Sequence, residues 1–310
     1  MGLKVMRDRR GRRLPDFLVV GAAKAGTTAL YYWLRRHPQI FLPVEKEPNY
    51  LSLRRLEGGW IGKGQNVETE DDYLRLFLPI PGGVVAGDIS TTYLYFWEET
   101  ISSVKALYQI PRQLKIIILL RDPVARMYSH YSMKLRDGME DLGFMEAVSS
   151  ETIAKRQRDG LDFTFDYRGF SEYADALEAF RRDFDQVKVM FYEDMSRDPK
   201  EFLSEILRFL GVREDLDVNF DSRWNAGGIP KSKWVKPLHK MFFHPNSLKD
   251  LLRPVVPSWF RWWLKSKVGN VIHRRPQLSA DDRARLSEEF KDQVVRVELL
   301  TGRDLSEWKA

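Results

Sequence analysis

The chain has 310 residues, 43% hydrophobic and 13% aromatic, which is enough to bury one large core. It contains no cysteine, and this excludes disulfides, cysteine-based zinc sites and thiol nucleophiles. Its five histidines show no metal-ligand spacing, so we expect no metal site. The formal net charge of +6 favours anionic partners, but the chain carries no nucleic-acid-binding motif and we expect no nucleic acid among them.

No apolar run approaches the roughly 18–20 residues of a membrane span, and the first residues lack the apolar core of a signal peptide. We therefore expect a cytoplasmic protein. Residues 4–13 carry six basic side chains against Asp8 alone. They predict a basic N-terminal arm over residues 1–14, solvated and frayed, ahead of one domain over residues 15–310.

Apolar runs and helix-forming segments alternate along the chain. Strands are predicted at Phe17–Val20, Ile40–Leu42, Val84–Ala86, Leu114–Leu120 and Val187–Phe191. The alternation predicts an α/β fold, a single domain with a central, mostly parallel sheet flanked by helices in a P-loop-like arrangement. Ligands of such sheets bind beyond the carboxyl ends of the strands. The 17–26 loop, the 88–93 segment and Arg121 all follow strand ends, so we expect one shared site.

Several helix starts are well marked. The first helix is predicted over Thr27–Arg36. Asp122 and Asp198, each followed by a proline, suit the N-cap position of two later helices, and Glu201 is placed to complete a capping box. A last helix is predicted from about Ser279. Its apolar residues share one face: Leu286, Phe290, Val294 and Val297.

An anion cradle is predicted where the first strand ends. The chain bends through Gly21 and Gly26 and enters a helix, so loop and first-turn N–H groups point at one spot that the helix dipole makes favourable to negative charge. Lys24 adds a positive charge, and Thr27 and Thr28 add hydroxyls. This pattern indicates a phosphate site.

The position of the lysine separates this loop from that of nucleotide hydrolases, which reads G-x-x-x-x-G-K-[ST]. Here a threonine follows the second glycine, and the lysine lies inside the loop. A Lys-x-Gly-Thr-Thr loop resembles the 5′-phosphosulfate-binding loop of sulfotransferases that use 3′-phosphoadenosine 5′-phosphosulfate (PAPS). The resemblance implies that PAPS binds at Lys24, Ala25, Gly26, Thr27 and Thr28, with Lys24 also catalytic.

A second motif supports the same family. Arg121 follows a predicted buried strand, and Ser129 comes eight residues later. An arginine fork can hold a phosphate through two hydrogen bonds, and this spacing resembles the 3′-phosphate-binding motif of the same superfamily. From about Pro15 to Trp308 the chain resembles the bacterial sulfotransferases related to the heparan sulfate sulfotransferases. The likeness implies PAPS as donor and adenosine 3′,5′-bisphosphate as product.

Two more segments carry the resemblance. Tyr192 lies in the strand end Phe191-Tyr-Glu-Asp194, and the loop from Asn225 to Lys233 resembles the family's cofactor-covering loop. The resemblance implies further donor contacts at Tyr192, Gly228, Lys231 and Ser232.

The expected general base lies after the first helix. Lys46-Glu-Pro-Asn-Tyr50 resembles the Lys-Glu-x-His-Phe segment of the heparan-type relatives, which implies that Glu47 deprotonates the acceptor. Asn49 stands where that pattern has histidine. Asp88 and His130 are the next candidates for the base.

The acceptor contacts are expected after the third strand. Gly87–Tyr93 resembles a Glu-Lys-Ser-Pro-Ala-Tyr stretch near the acceptor in these relatives, so we expect Asp88, Ser90 and Tyr93 to bind the acceptor. The lysine of that stretch is Ile89 here, which suits a densely sulfated glycan poorly. We expect a carbohydrate, glycolipid or other small acceptor with a hydroxyl or an amine.

Two other functions stay open at this point. Gly21-x4-Gly26 and Asp88 after an apolar strand also fit a P-loop kinase or NTPase. Residues 251–280 have basic residues among tryptophans and no acidic residue, which fits a non-catalytic anion- or membrane-surface-binding protein. Alternatively, Trp262 in that stretch rims the acceptor channel, or the tryptophans pack onto the domain.

Overall fold

The chain folds around one parallel sheet. A computed structural model describes residues 5–53, 67–78, 80–215, 218, 220, 229–230, 273–274 and 278–309. The sheet strands are β1 (Phe17–Gly21), β2 (Ile40–Phe41), β3 (Val85–Ile89), β4 (Lys115–Leu120) and β5 (Gln186–Phe191). Their spatial order is β2-β3-β1-β4-β5, and every neighbouring pair is parallel. A short antiparallel pair joins β6 (Ile229–Pro230) and β7 (His273–Arg274).

Thirteen α-helices are described around this sheet. They are α1 (Thr27–Leu34), α2 (Tyr50–Leu53), α3 (Glu70–Arg75), α4 (Thr92–Tyr95), α5 (Trp97–Leu107), α6 (Pro123–Arg136), α7 (Phe144–Ala147), α8 (Ser150–Arg158), α9 (Ala174–Asp183), α10 (Tyr192–Arg197), α11 (Pro199–Leu210), α12 (Ala280–Glu289) and α13 (Lys291–Thr301). None of these described helices is long and apolar enough to span a bilayer. The predicted α/β class with a parallel sheet is confirmed.

The central strands are buried on both faces, as their apolar runs predict. β3 extends three residues beyond the predicted end at Ala86. Gly87 lies opposite Phe17, and a Cβ at Gly87 would come within 2.1 Å of the Phe17 ring. The glycine therefore continues the strand and makes room for a buried aromatic side chain instead of ending the strand.

The predicted helix caps are present. Asp122 accepts hydrogen bonds from the N–H groups of Val124 (2.8 Å) and Ala125 (3.2 Å) at the start of α6. Asp198 accepts one from the N–H of Glu201 (3.0 Å) at the start of α11. The reciprocal half of that capping box is not formed, since the N–H of Asp198 donates to a backbone oxygen of α10.

The single last helix predicted from Ser279 is two helices, α12 and α13. Ser279 is the N-cap, as predicted. Phe290 separates the two helices with a ψ of 0°, outside the helical range. The predicted apolar face is buried across both: Leu286, Phe290, Val294 and Val297.

The N-terminal arm differs from the prediction. Met6 and Leu14 are buried in the main core, and Asp8 is only 2% exposed. The Arg12 guanidinium binds Asp8 at 2.6 Å and Glu70 of α3 at 2.7 Å. The expectation of a solvated, frayed arm is therefore wrong for residues 5–14, because acidic partners and the buried apolar residues on either side of the arginines attach this segment to the fold.

Candidate active site

The segments predicted to form the site lie at the carboxyl ends of three adjacent strands. β1 lies between β3 and β4, with Val19 beside Ile89 and Gly21 beside Ile118. The glycine loop after β1, the segment after Ile89 and Arg121 after β4 therefore share one edge of the sheet.

The two glycines shape the loop between β1 and α1. Gly26 has φ 95° and is the N-cap of α1, where no side chain caps the helix and the first turn has no acidic residue. The first N–H groups of α1 are therefore open to an anion. A Cβ at Gly26 would lie 2.6 Å from Met195 Sδ, and one at Gly21 would lie 2.8 Å from the Leu94 Cβ. Both close approaches require glycine.

Lys24 adopts an unusual backbone conformation within this loop. Its φ of 72° lies in the left-handed region that residues other than glycine seldom occupy and that clusters at functional sites. Its Nζ lies 3.4 Å from the Sδ of Met133 on α6. The side chain therefore crosses from the loop to the neighbouring helix.

The charges around Lys24 are mostly positive. Burial, followed by the nearby cations Arg136, Arg121 and Arg126, lowers the pKa of Lys24 to about 8. Asp137 acts in the opposite direction, but its carboxylate pairs with Arg136 at 2.8 Å. A cluster of cations with so little compensating negative charge is the environment that a bound polyanion would stabilise.

Arg121 is held beside the loop by its surroundings. Its Nη1 donates to the backbone oxygen of Lys24 at 3.0 Å, and its guanidinium lies 4.3 Å from the centre of the Tyr192 ring. Within the described ranges no carboxylate forms an ion pair with Arg121. Ser129 is half-buried on α6, the helix that follows Arg121. The structure thus brings Lys24, Arg121 and Tyr192 together.

The remaining predicted donor contacts divide into two groups. Ala25 and Thr27 are buried and Thr28 is half-buried at the start of α1. The other predicted donor contacts lie outside the described residues: Gly228, Lys231 and Ser232. The same is true of Trp262, which was expected near the acceptor, and of nearly all of residues 251–280.

The predicted base lies on a tightly held segment. Glu47 and Asn49 have left-handed φ values of 59° and 56°. The N–H of Glu47 donates to the Ile89 oxygen (3.2 Å), the Thr91 hydroxyl donates to Glu47 Oε2 (3.3 Å), and Lys46 Nζ pairs with Oε1. The end of β3 therefore positions the candidate base.

The predicted acceptor contacts Asp88, Ser90 and Tyr93 are all fully buried. Asp88 accepts hydrogen bonds from the hydroxyls of Tyr93 (2.7 Å), Ser90 (2.9 Å) and Tyr73 (2.9 Å). Burial raises the pKa of Asp88 to about 6, although these hydrogen bonds act to lower it. Because the three residues are fully buried, an acceptor has no open surface through which to reach them. Their hydrogen bonds instead support the segment that follows β3.

His130, a reserve candidate for the base, is buried on α6 beside a cation that the sequence analysis missed. Burial, and then the charge of Arg126, holds the pKa of His130 well below its usual range. Arg126 Nη1 donates to His130 Nδ1 at 3.2 Å, and the rest of this fully buried guanidinium binds Ser171 (2.5 Å) and the Tyr167 oxygen (2.6 Å). The sequence signal that could have identified this cation is a second arginine, Arg126, five residues after Arg121.

The comparisons with known proteins agree with this geometry. A family model described as the sulfotransferase domain matches residues 14–222. Human bifunctional heparan sulfate N-deacetylase/N-sulfotransferase 3 is 28% identical over 207 residues, covering 64% of this chain and 22% of the relative. Mouse heparan sulfate glucosamine 3-O-sulfotransferase 3A1 is 25% identical over 262 residues, covering 81% of this chain and 61% of the relative.

A solved structure matches over nearly the whole chain. The sulfotransferase from Alicyclobacillus acidocaldarius is 26% identical, with a TM-score of 0.71, and the match covers 96% of this chain and 99% of that one. By contrast, the chain spans only 22–23% of the length of the N-deacetylase/N-sulfotransferase relatives.

Proposed function

The chain belongs to the sulfotransferase domain family of transferase enzymes, and we propose that it transfers the sulfuryl group of PAPS to a hydroxyl or amine of a carbohydrate, glycolipid or other small acceptor. The observation that carries the proposal is the pairing of an uncapped helix N-terminus with Lys24 and Arg121, two cations that form no ion pair with a carboxylate of the described residues. Such a site suits a ligand with several anionic groups.

The two ends of the donor have different proposed partners. The loop amides, Lys24 and the hydroxyls of Thr27 and Thr28 hold the 5′-phosphosulfate. Arg121 and Ser129 hold the 3′-phosphate, with the adenosine covered by the loop that contains Gly228, Lys231 and Ser232. Tyr192 supports this arrangement, since its ring lies against the Arg121 guanidinium.

In the proposed reaction an acceptor oxygen or nitrogen attacks sulfur in line while the bond from sulfur to the phosphate oxygen breaks. The acceptor proton passes to Glu47, and the products are the sulfated acceptor and adenosine 3′,5′-bisphosphate. Negative charge grows on the leaving phosphate, so Lys24 stabilises the transition state more than the ground state. We propose that this charge compensation needs no metal.

The proposed acceptor class follows from two observations. Both named relatives are heparan sulfate sulfotransferases, which favours a glycan. Ile89 stands where the compared stretch of the relatives has lysine, and this argues against a densely sulfated chain. A less charged carbohydrate or a glycolipid fits both observations.

The kinase or NTPase alternative lacks support in the structure. Its proposed magnesium ligand, Asp88, already accepts hydrogen bonds from Tyr73, Ser90 and Tyr93 and is fully buried. The alternative of a non-catalytic membrane-surface protein depends on residues 251–280, of which the structure describes only 273–274 and 278–280.

Calorimetry in the presence of a chelator tests the donor directly. We expect adenosine 3′,5′-bisphosphate to bind without metal and far more tightly than ADP, because only the bisphosphate has a 3′-phosphate for Arg121. A screen for ³⁵S transfer from labelled PAPS into lipid, glycan and small-molecule extracts then identifies the acceptor. Equal affinity for the two nucleotides, or binding of ADP only with magnesium, would contradict the proposal.

A further inference from the structure

A set of hydrogen bonds fastens the segment after β2 to the segment after β3. The backbone N–H groups of residues 47, 49 and 51 donate to the Ile89 oxygen (3.2 Å), to Ser90 Oγ (3.2 Å) and to Tyr93 Oη (3.4 Å). Thr91 and Thr92, which lie between Ser90 and Tyr93, donate to side chains of the segment after β2. Thr91 reaches Glu47 Oε2 at 3.3 Å, and Thr92 reaches Asn49 Oδ1 at 2.8 Å.

These contacts hold Glu47 in a backbone conformation that it would not adopt unaided. A left-handed φ is unfavourable in a residue other than glycine, and two such residues occur within three positions. Such a conformation persists where its surroundings over-determine it. The segment 89–93 provides those surroundings.

Thr91 differs from the other contacts because it touches the carboxylate of Glu47. Thr91 is buried, at 8% exposure, and lines a narrow crevice together with Ala22 and Ala23 of the loop after β1. The residue therefore lies close to both the candidate base and the loop that carries Lys24. Thr92 has the same shape and similar burial, but its hydroxyl points to Asn49.

We propose that Thr91 is a positioning residue for the reaction: its hydroxyl fixes the orientation of the Glu47 carboxylate. The inference rests on the proposed role of Glu47 as general base. A hydrogen bond donated to one oxygen of a carboxylate restricts the rotation of that carboxylate. Removing the hydroxyl frees the carboxylate to turn away from the acceptor.

Two charged groups face Glu47 besides this hydroxyl. Lys46 on the same segment pairs with Oε1, and the buried Asp88 of β3 lies close enough for Glu47 to raise its pKa. Neither group touches Thr91 or Thr92 in the hydrogen-bond network. Replacing either threonine by valine therefore keeps both charges in place and changes only one hydroxyl.

The test compares Thr91→Val and Thr91→Ser with Thr92→Val in the full chain. The readout is the single-turnover rate of PAPS breakdown with water as the acceptor, and bisphosphate affinity is measured alongside it by calorimetry. We expect Thr91→Val to lower the rate several-fold at unchanged bisphosphate affinity, and Thr91→Ser, which restores the hydroxyl, to recover the rate. Thr92→Val removes a hydroxyl that contacts Asn49 and Ser52 but not the carboxylate, and it should lower the rate less.

The outcomes separate this inference from the proposed function. Equal single-turnover rates in the two valine variants, or no recovery in Thr91→Ser, would overturn the role of Thr91, even if Glu47→Gln abolishes transfer. A Glu47→Gln variant with the wild-type rate would instead remove Glu47 as the base and the inference with it, while PAPS turnover and bisphosphate affinity would still test the donor site. Bisphosphate affinity that falls in Thr91→Val alone would assign the hydroxyl to the donor instead.

Discussion

The proposed donor side and the proposed acceptor side of this site are built in opposite ways. On the donor side, the N-terminus of α1 has no cap, and Lys24 and Arg121 have no carboxylate paired with them in the described ranges. On the acceptor side, the hydroxyls around Asp88 and the segment of Glu47 bind one another. The proposed donor side therefore lacks negative charge, whereas the polar groups of the proposed acceptor side satisfy one another's hydrogen bonds.

The contrast teaches what each side does for the reaction. A site that must bind a polyanion keeps its cations unneutralised, and it tolerates their mutual repulsion until the ligand arrives. A site that must hold a base in one orientation satisfies every polar group around it, because a loose network would let the base turn. Substitutions should therefore change ligand binding on the donor side, and stability or base orientation on the acceptor side.

The largest effect is expected at the base. Glu47→Gln keeps the shape of the side chain but cannot take a proton, so the single-turnover transfer rate should fall by about 10²–10⁴-fold. Bisphosphate affinity, measured by calorimetry, should stay unchanged because Glu47 lies on the acceptor side. A normal transfer rate would exclude Glu47 as the base.

Lys24→Ala should lower the transfer rate by about 10²–10³-fold, since the lost charge matters most as the leaving phosphate gains negative charge. The melting temperature should not fall, because the substitution also removes the repulsion from Arg121 and Arg136. Lys200→Ala, at an exposed site on α11, is the matched control and should keep the full rate. Equal rates in the two variants would contradict the catalytic role of Lys24.

Arg121→Ala should weaken binding of adenosine 3′,5′-bisphosphate by about 2–4 kcal/mol, the loss of a bidentate charged contact. Arg121→Lys keeps the charge but not the fork, and we expect it to recover only part of the affinity. ADP affinity should hardly change in either variant. A parallel loss for both nucleotides would place Arg121 at the 5′ end of the donor.

Donor binding should depend on pH through Lys24. The pKa of Lys24 is about 8 in this structure. A bound anion favours the charged amine, so binding should take up a proton above that pH, and affinity should fall by up to about tenfold per pH unit. Calorimetry in buffers of different ionisation enthalpy measures this uptake, and Lys24→Met should abolish it. A flat profile between pH 7 and 9 in the wild type would contradict the prediction.

The smallest effect is expected at Tyr73→Phe on the acceptor side. It removes one of the three hydroxyls that bind Asp88, so the free energy of unfolding should fall by about 1–3 kcal/mol. Denaturant titration measures this loss, and bisphosphate affinity should be unaffected. Weaker donor binding in this variant would mean that the two sides are coupled more closely than their contacts indicate.

Much of the fold and of the donor side could be predicted from sequence because the signals are local. A strand, two glycines and a helix start within one short run, and an aspartate before a proline, specify their own geometry wherever they occur. The sequence by itself thus determined the α/β class, the glycine loop that leads into the uncapped helix α1 and the cap at Asp122.

Only the tertiary structure decided which polar groups meet. Thr91 reaches Glu47 across 44 positions of sequence, Arg126 reaches Ser171 across 45, and no local pattern encodes either contact. The burial of Asp88 and the packing of residues 5–14 were unpredicted for the same reason. Each depends on side chains brought together from distant segments of the chain, where burial makes a polar group find a partner.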